Sequence, residues 1–194
     1  MVKAIAVDMD GTFLDSKKNY DKDRFEKIFK ALKERNIEFI AASGNQFAKL
    51  QSIFGERDMF FISENGAVIY NGNKLYNYRS FNRQDFQDVV DYLSIDHKMD
   101  ELIICGVKSA YILKSTQATF KEDAHFYYHQ LEEIDSLQHL LKDDYVKIAF
   151  KFFLKKRNNF YEFYNKKDNY IIKGMLNQRS NSDGTALSST HIKN

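Results

Sequence analysis

The chain has 194 residues, of which 43% are hydrophobic and 15% aromatic, with a formal net charge of +2. That length suits one large domain or two small ones, and the aromatic content supplies a sizeable core. The near-neutral balance argues against a nucleic-acid surface or a membrane-binding patch, and no stretch is long enough to span a bilayer.

The chain opens on Val2-Lys3-Ala4-Ile5-Ala6-Val7. This near-continuous apolar run reads as a strand buried on both faces, as in a parallel sheet. It is too short for a secretory signal and ends in Asp8-Met9-Asp10-Gly11-Thr12. Open α/β sheets bind ligands outside the carboxyl ends of their strands. Two acids there are costly unless a cation or a reaction needs them. Mg²⁺ is held by one or two carboxylates plus phosphate oxygens and water. An aspartate can also attack phosphorus, and a second acid can protonate a leaving alkoxide and later activate water. A solvated polar turn is the bland alternative, which the position after a buried strand disfavours.

Asp15 to Asn19 is a polar loop, and Asp21 or Asp23 can cap a helix whose apolar face is Phe25, Ile28, Phe29 and Leu32. Asn36 is a plausible stop. Ile37 to Ala42 reads as a second buried strand, which completes a βαβ unit with parallel pairing. Its carboxyl end, Ser43-Gly44-Asn45-Gln46, therefore lies near Asp8 and offers a hydroxyl, a glycine amide and a helix start to a phosphate. The alternative is a plain helix N-cap. Phe47, Leu50, Ile53 and Phe54 form the next apolar face, and Met59 to Ile62 a third strand. Val68 to Tyr70 and Lys74 to Tyr78 flank the hairpin turn Asn71-Gly72.

From Phe81 the pattern changes. Phe86, Val89, Val90 and Leu93 give a helix; Leu102 to Val107 and Tyr111 to Leu113 give two strands joined at Lys108-Ser109. Cys105, the only cysteine, sits in the first of these runs, so packing is its expected role and a reducing, cytoplasmic setting its expected compartment. Helices are expected at 118–124 and 134–141, a half-exposed strand at 146–153, and a last helix around Phe160, Phe163 and Tyr164. Lys147 and Lys151 share a strand face, ordinarily a solvated one. Residues 177–194 are rich in Ser, Thr and Asn without apolar periodicity and read as disordered.

Asp8-Met9-Asp10-Gly11-Thr12-Phe13-Leu14 resembles the first motif of the haloacid dehalogenase-like phosphatases. The resemblance implies an α/β fold: a Rossmannoid parallel-sheet core, residues 1–80, carrying an inserted α/β cap, 81–176, with 177–194 as a divergent tail. It implies that Asp8 is the nucleophile and a Mg²⁺ ligand. Asp10 would be the general acid/base and offer its carbonyl to the metal. The amides of Met9 and its neighbours, with Ser43, Gly44 and Asn45, would hold the phosphoryl group. Ser63-Glu64-Asn65-Gly66-Ala67 is typical of the Cof-type branch, and Cys105-Gly106-Val107-Lys108-Ser109-Ala110-Tyr111 is similar to its sugar phosphatases. The implied substrate is a small phosphorylated metabolite, a sugar phosphate. Lys108, Tyr111, His125 and His129 are candidate cap contacts, and Glu64 and Asn65 carry no assigned duty.

Two later motifs of the family, a lysine after the cap and Gly-Asp-x-x-Asn-Asp, are not found after Leu176. The chain thus reads as a truncated member, with unpaired sheet edges and weakened charge compensation for phosphoryl transfer. Its expected function is an impaired Mg²⁺-dependent phosphatase. The alternative is an inactive remnant that at most binds phosphate or a partner. A mutase or dehalogenase fits the cap and Asp10 less well. The oligomeric state is left open.

Overall fold

A computed structural model describes residues 1–96, 101–137, 143–153, 171–176 and 182–188. The chain divides into two compact units, Met1–Asn77 and Tyr78–Asn194.

The first unit begins with β1 (Ala4–Asp8), α1 (Lys22–Glu34), β2 (Glu38–Ala42), α2 (Phe47–Phe54) and β3 (Phe60–Ser63). A single 3-10 turn, Glu64–Gly66, leads to β4 (Val68–Asn71) and β5 (Lys74–Tyr78). The sheet order is β1-β2-β3-β4-β5, with β1/β2 and β2/β3 parallel and β3/β4 antiparallel. Asp21 caps α1, its carboxylate accepting from the Arg24 amide at 2.9 Å. Asn36, at φ 52°, takes the left-handed backbone that stops the helix.

Both helices press onto one face of this sheet. Phe25 from α1, Leu50 and Phe54 from α2, and Phe39, Ala41 and Phe61 from the strands share one buried cluster. Phe13, two residues past Gly11, sits among these rings, 5.3 Å from Phe25, 5.8 Å from Phe39 and 5.4 Å from Phe54. Met9 and Leu14 are buried in the same cluster, so the acidic loop is anchored by its own apolar residues. On the opposite face Ile40, Phe60 and Ile62 are only half-buried.

The first strand departs from expectation. It is an edge strand, not one buried on both faces: Ala4, Ile5 and Ala6 are exposed, Ile5 by 37%. Among the described residues only β2 pairs with it. An apolar run signals a buried strand only where neighbours exist to bury it.

The second unit contains α3 (Arg83–Asp96), β6 (Leu102–Gly106), β7 (Ala110–Leu113), α4 (Ala118–Tyr127) and β8 (Leu131–Ile134). It continues with β9 (Tyr145–Phe153), β10 (Ile171–Leu176) and β11 (Ser182–Ser188). Its sheet runs β10-β11-β9-β6-β7-β8. Phe86, Val89, Val90 and Leu93 of α3 pack on Leu102, Ile104, Ile148 and Phe150.

Three expectations change here. Leu131–Ile134 pairs parallel with β7, so Ile134 ends a strand instead of starting a helix; residues 138–141 of that expected helix lie outside the described residues, as do Phe160, Phe163 and Tyr164. Ser182–Ser188, expected to be disordered, pairs antiparallel with both β9 and β10, because the two flanking backbones hold it without help from apolar patterning. Lys147 is 3% exposed, not solvated, with its ammonium 5.2 Å from the Tyr128 ring.

One polar staple fixes the β6–β7 turn. The Asp143 carboxylate accepts from the amides of Lys108 at 3.0 Å and Ser109 at 3.3 Å, and from the Tyr111 hydroxyl at 2.9 Å. A Cβ on Gly106 would overlap that carboxylate, which explains the glycine. Burial, then the Asp143 charge, pushes the Tyr145 hydroxyl from 10.0 up to about 12; burial and the hydrogen bond to Asp143 push Tyr111 the same way.

Asp143→Ala should therefore cost about 1–3 kcal/mol in denaturant unfolding, since it strands three amides, those of Lys108, Ser109 and Asp144, and a hydroxyl. The tyrosine shifts have a definite sign. A folded pKa above the unfolded 10.0 gives stability that is complete below that pH and drains away as pH rises towards about 12. Denaturation followed across that window should show the loss, and spectrophotometric titration should find late-titrating tyrosines that move earlier in Asp143→Asn. Phe54→Ala, which empties a fully buried site, should cost about 3–5 kcal/mol in the same unfolding assay.

Candidate functional site

The site lies where three strands of the first unit end. Parallel pairing sets Asp8 of β1 opposite Ala42 of β2, so Ser43 follows directly beside the acidic loop. Met9 is fully buried while Asp8 and Asp10 are exposed, so its side chain pins the loop between them. Gly11, at φ 78°, turns the chain with a backbone that a side chain would strain. The Met9 carbonyl accepts from the amides of Phe13 at 3.2 Å and Leu14 at 2.9 Å, closing a compact turn.

Ser43 is 8% exposed and held by its amide, which donates to the Ile62 carbonyl at 2.9 Å. Its Oγ accepts from the Asn45 amide at 3.1 Å. This is not a helix cap: α2 begins four residues later, at Phe47, and Gln46 is its N-cap residue. Gly44 packs so closely on the next loop that a Cβ would come within 2.6 Å of Asn65 Oδ1. Asn45 links all three loops. Its Nδ2 donates to Asp10 Oδ2 at 3.2 Å, and its carbonyl accepts from the Glu64 amide at 3.0 Å. Asp8, Met9, Asp10, Ser43, Gly44 and Asn45 thus occupy one strand-end cluster.

Lys18 and Lys49 carry no clear signal in the sequence, and the motif that holds Glu64 and Asn65 assigns them no duty. Lys18, from the polar loop, donates to Asp10 Oδ1 at 2.7 Å. Lys49, on α2, feels both Asp10 and Lys18: burial lowers its pKa, Asp10 opposes that, and Lys18 adds to it. Glu64 and Asn65 take left-handed backbone at φ 50° and 59°, and the Glu64 side chain is buried. Left-handed backbone at two successive non-glycine residues marks a held conformation, which a string of letters does not show. The Asx-type hydrogen bonds of Asp15 could have hinted at the turn that carries Lys18.

Of the candidate cap contacts, Lys108 and Tyr111 belong to the Asp143 staple and His125 is exposed in the last turn of α4. Among the described residues no group of three or more His, Cys, Asp or Glu side chains is placed to hold a metal. Asp8 and Asp10 alone still fit an ion such as Mg²⁺, which takes as few as one or two carboxylates and fills its shell with water and phosphate oxygens. Both oxygens of Asp10 already accept, from Lys18 and Asn45, so the carboxylate of Asp8 and the carbonyl of Asp10 are the groups available to it. No helix among the described residues is long and apolar enough to cross a membrane.

The chain is similar to known proteins. The chain is 39% identical over 142 residues to 5-amino-6-(5-phospho-D-ribitylamino)uracil phosphatase YbjI of Escherichia coli, a match covering 72% of this chain and 52% of that protein. It is 28% identical over 99 residues to phosphatase YwpJ of Bacillus subtilis, covering 50% of this chain and 34% of that one. The chain thus spans about half the length of the first of these relatives, and less of the second. Among solved structures, SMU.1108c of Streptococcus mutans superposes with a TM-score of 0.78 at 26% identity, covering 97% of this chain and 71% of that one. A haloacid dehalogenase-like hydrolase from B. subtilis gives 0.73 at 21% identity, with coverages of 97% and 73%, a likeness of fold. A family model for haloacid dehalogenase-like hydrolases matches residues 5–191, and the chain belongs to that family.

Proposed function

We propose that this chain carries the phosphoryl-transfer half-site of a Mg²⁺-dependent phosphatase acting on small phosphorylated metabolites, sugar phosphates among them. The observation that carries the reading is the convergence of Asp8, Asp10, Ser43 and Asn45 at adjacent strand ends, knit by the Asn45 bridge. The 39% identity to an enzyme named as a phosphatase of a phosphorylated ribityl compound supports the reaction class and a polyol-bearing substrate.

In the first step a carboxylate oxygen of Asp8 attacks phosphorus, and the bond to the leaving oxygen breaks as Asp10 supplies that oxygen's proton. In the second, Asp10 takes a proton from water, the hydroxide attacks the same phosphorus, and the Asp8 carboxylate leaves as phosphate is released. The Ser43 hydroxyl, the Gly44 amide and the amides after Asp8 stabilise the equatorial oxygens as charge develops on them. Mg²⁺, held by Asp8 and the Asp10 carbonyl, would neutralise phosphoryl charge.

A second reading, phosphate binding without turnover, is favoured by the same acid count: Asp8 and Asp10 stand without a third metal carboxylate among the described residues. One assay separates the two. Hydrolysis of p-nitrophenyl phosphate by the 194-residue chain should require Mg²⁺, stop with EDTA, and fall at least about 10³-fold in Asp8→Asn with the fold intact by circular dichroism. Turnover that survives in Asp8→Asn would remove the nucleophile assignment. A folded chain that binds phosphate but turns nothing over would establish the second reading. Ser43→Ala should weaken inorganic phosphate binding about tenfold by calorimetry, the loss of one hydrogen bond to a charged group.

A further inference from the structure

The loop after the acidic motif is built around one lysine. Asp15 organises it: its Oδ1 accepts from the amides of Lys17 at 2.8 Å and Asn19 at 2.9 Å. Its carbonyl accepts from the Lys18 amide at 3.0 Å, and its own amide donates to the Asn19 carbonyl at 2.8 Å. This closed turn holds Lys18 at φ 62° and carries its ammonium to 2.7 Å from Asp10 Oδ1.

Left-handed backbone costs a lysine more than it costs asparagine or glycine. The ion pair itself does not account for retaining lysine there. Its two side chains are 50% and 46% exposed, and exposed pairs contribute little to stability. A left-handed lysine, braced by four hydrogen bonds and aimed at one carboxylate of the site, points to a role in the site, since such strain concentrates where function over-determines it. Lys49 lies within electrostatic reach of the same carboxylate.

We propose that Lys18 is a phosphate-binding residue: its ammonium rests on Asp10 in the free protein and moves onto an oxygen of a bound phosphate or phosphomonoester dianion. The inference rests on the phosphoryl-site reading above. The four-carbon stem lets the ammonium move while the turn stays fixed. Phosphate adds two negative charges beside Asp8 and Asp10, and Lys18 supplies compensating charge from within this unit.

The test is calorimetric titration of the 194-residue chain with inorganic phosphate in Mg²⁺ buffer. Lys18→Asn is the informative variant, because asparagine prefers the left-handed turn. It should leave the melting temperature unchanged or higher while weakening phosphate binding about tenfold, and Lys18→Arg should keep most of the affinity. Lys17→Ala removes the same charge from the neighbouring position and should bind as the wild type does. Wild-type affinity in Lys18→Asn would overturn the inference while leaving the phosphoryl site standing, and so would an equal loss in Lys17→Ala. Absence of binding to the wild type would overturn the phosphoryl-site reading and this inference together.

Discussion

The parallel register of β1 on β2 is the constraint on which the rest of the site depends. Asp8 stands opposite Ala42, and both chains leave the sheet at the same edge. A shift of one residue would turn every side chain of β1 to the other face, taking Val7 off the aromatic cluster. The register is fixed from the core side. Val7, Met9, Phe13 and Leu14 all reach the cluster that contains Phe25, Phe39 and Phe54. Packing of these apolar residues, and not any attraction between polar ones, places two carboxylates beside a serine.

What packing brings together, hydrogen bonds then hold. Asn45 touches Asp10 through its side chain, Ser43 through its amide and Glu64 through its carbonyl. The Asn65 amide donates to the Ser43 carbonyl at 3.3 Å, and its side chain fills the space that a Cβ on Gly44 would need. Three loops are therefore joined into one rim. Such a rim suits phosphoryl transfer, where most of the work is positioning and charge stabilisation by groups already in place.

Much of this was legible in the sequence, for a physical reason. Helical spacing at Phe25, Phe29 and Leu32, and apolar runs ending in Asp8 and Ser43, are local signals that the fold obeys, although Ile28, expected on the same helix face, is exposed. The failures are all non-local. Nothing in Val2–Val7 says whether a neighbour covers its outer edge, and β1 is exposed there. Nothing near Lys147 announces that Tyr128 will lie beside its ammonium. Ser182–Ser188 lacks apolar alternation yet pairs on both sides, because backbone groups suffice once two partners flank them. Lys18 was invisible for the same reason: its meaning is a contact eight residues back, made only after the Asp15 turn has formed.

Asp143 in the second unit and Asp10 in the first each sit in a cluster of donors, and the two clusters differ in kind. Asp143 is gripped mainly by backbone amides, those of Lys108, Ser109 and Asp144, with the Tyr111 hydroxyl added. Amides of a packed turn cannot leave without unfolding it, and the carboxylate occupies the space that a side chain at Gly106 would need. Asp10 is gripped by two side chains, the ammonium of Lys18 and the amide of Asn45, on an exposed loop. Those donors can exchange one acceptor for another by rotating about single bonds, at little cost. A carboxylate that must accept and release a proton needs partners that can let go, whereas one that braces a turn needs partners that cannot. On the function proposed above, the donor types, more than the distances, separate the aspartate that braces a turn from the one assigned to proton transfer.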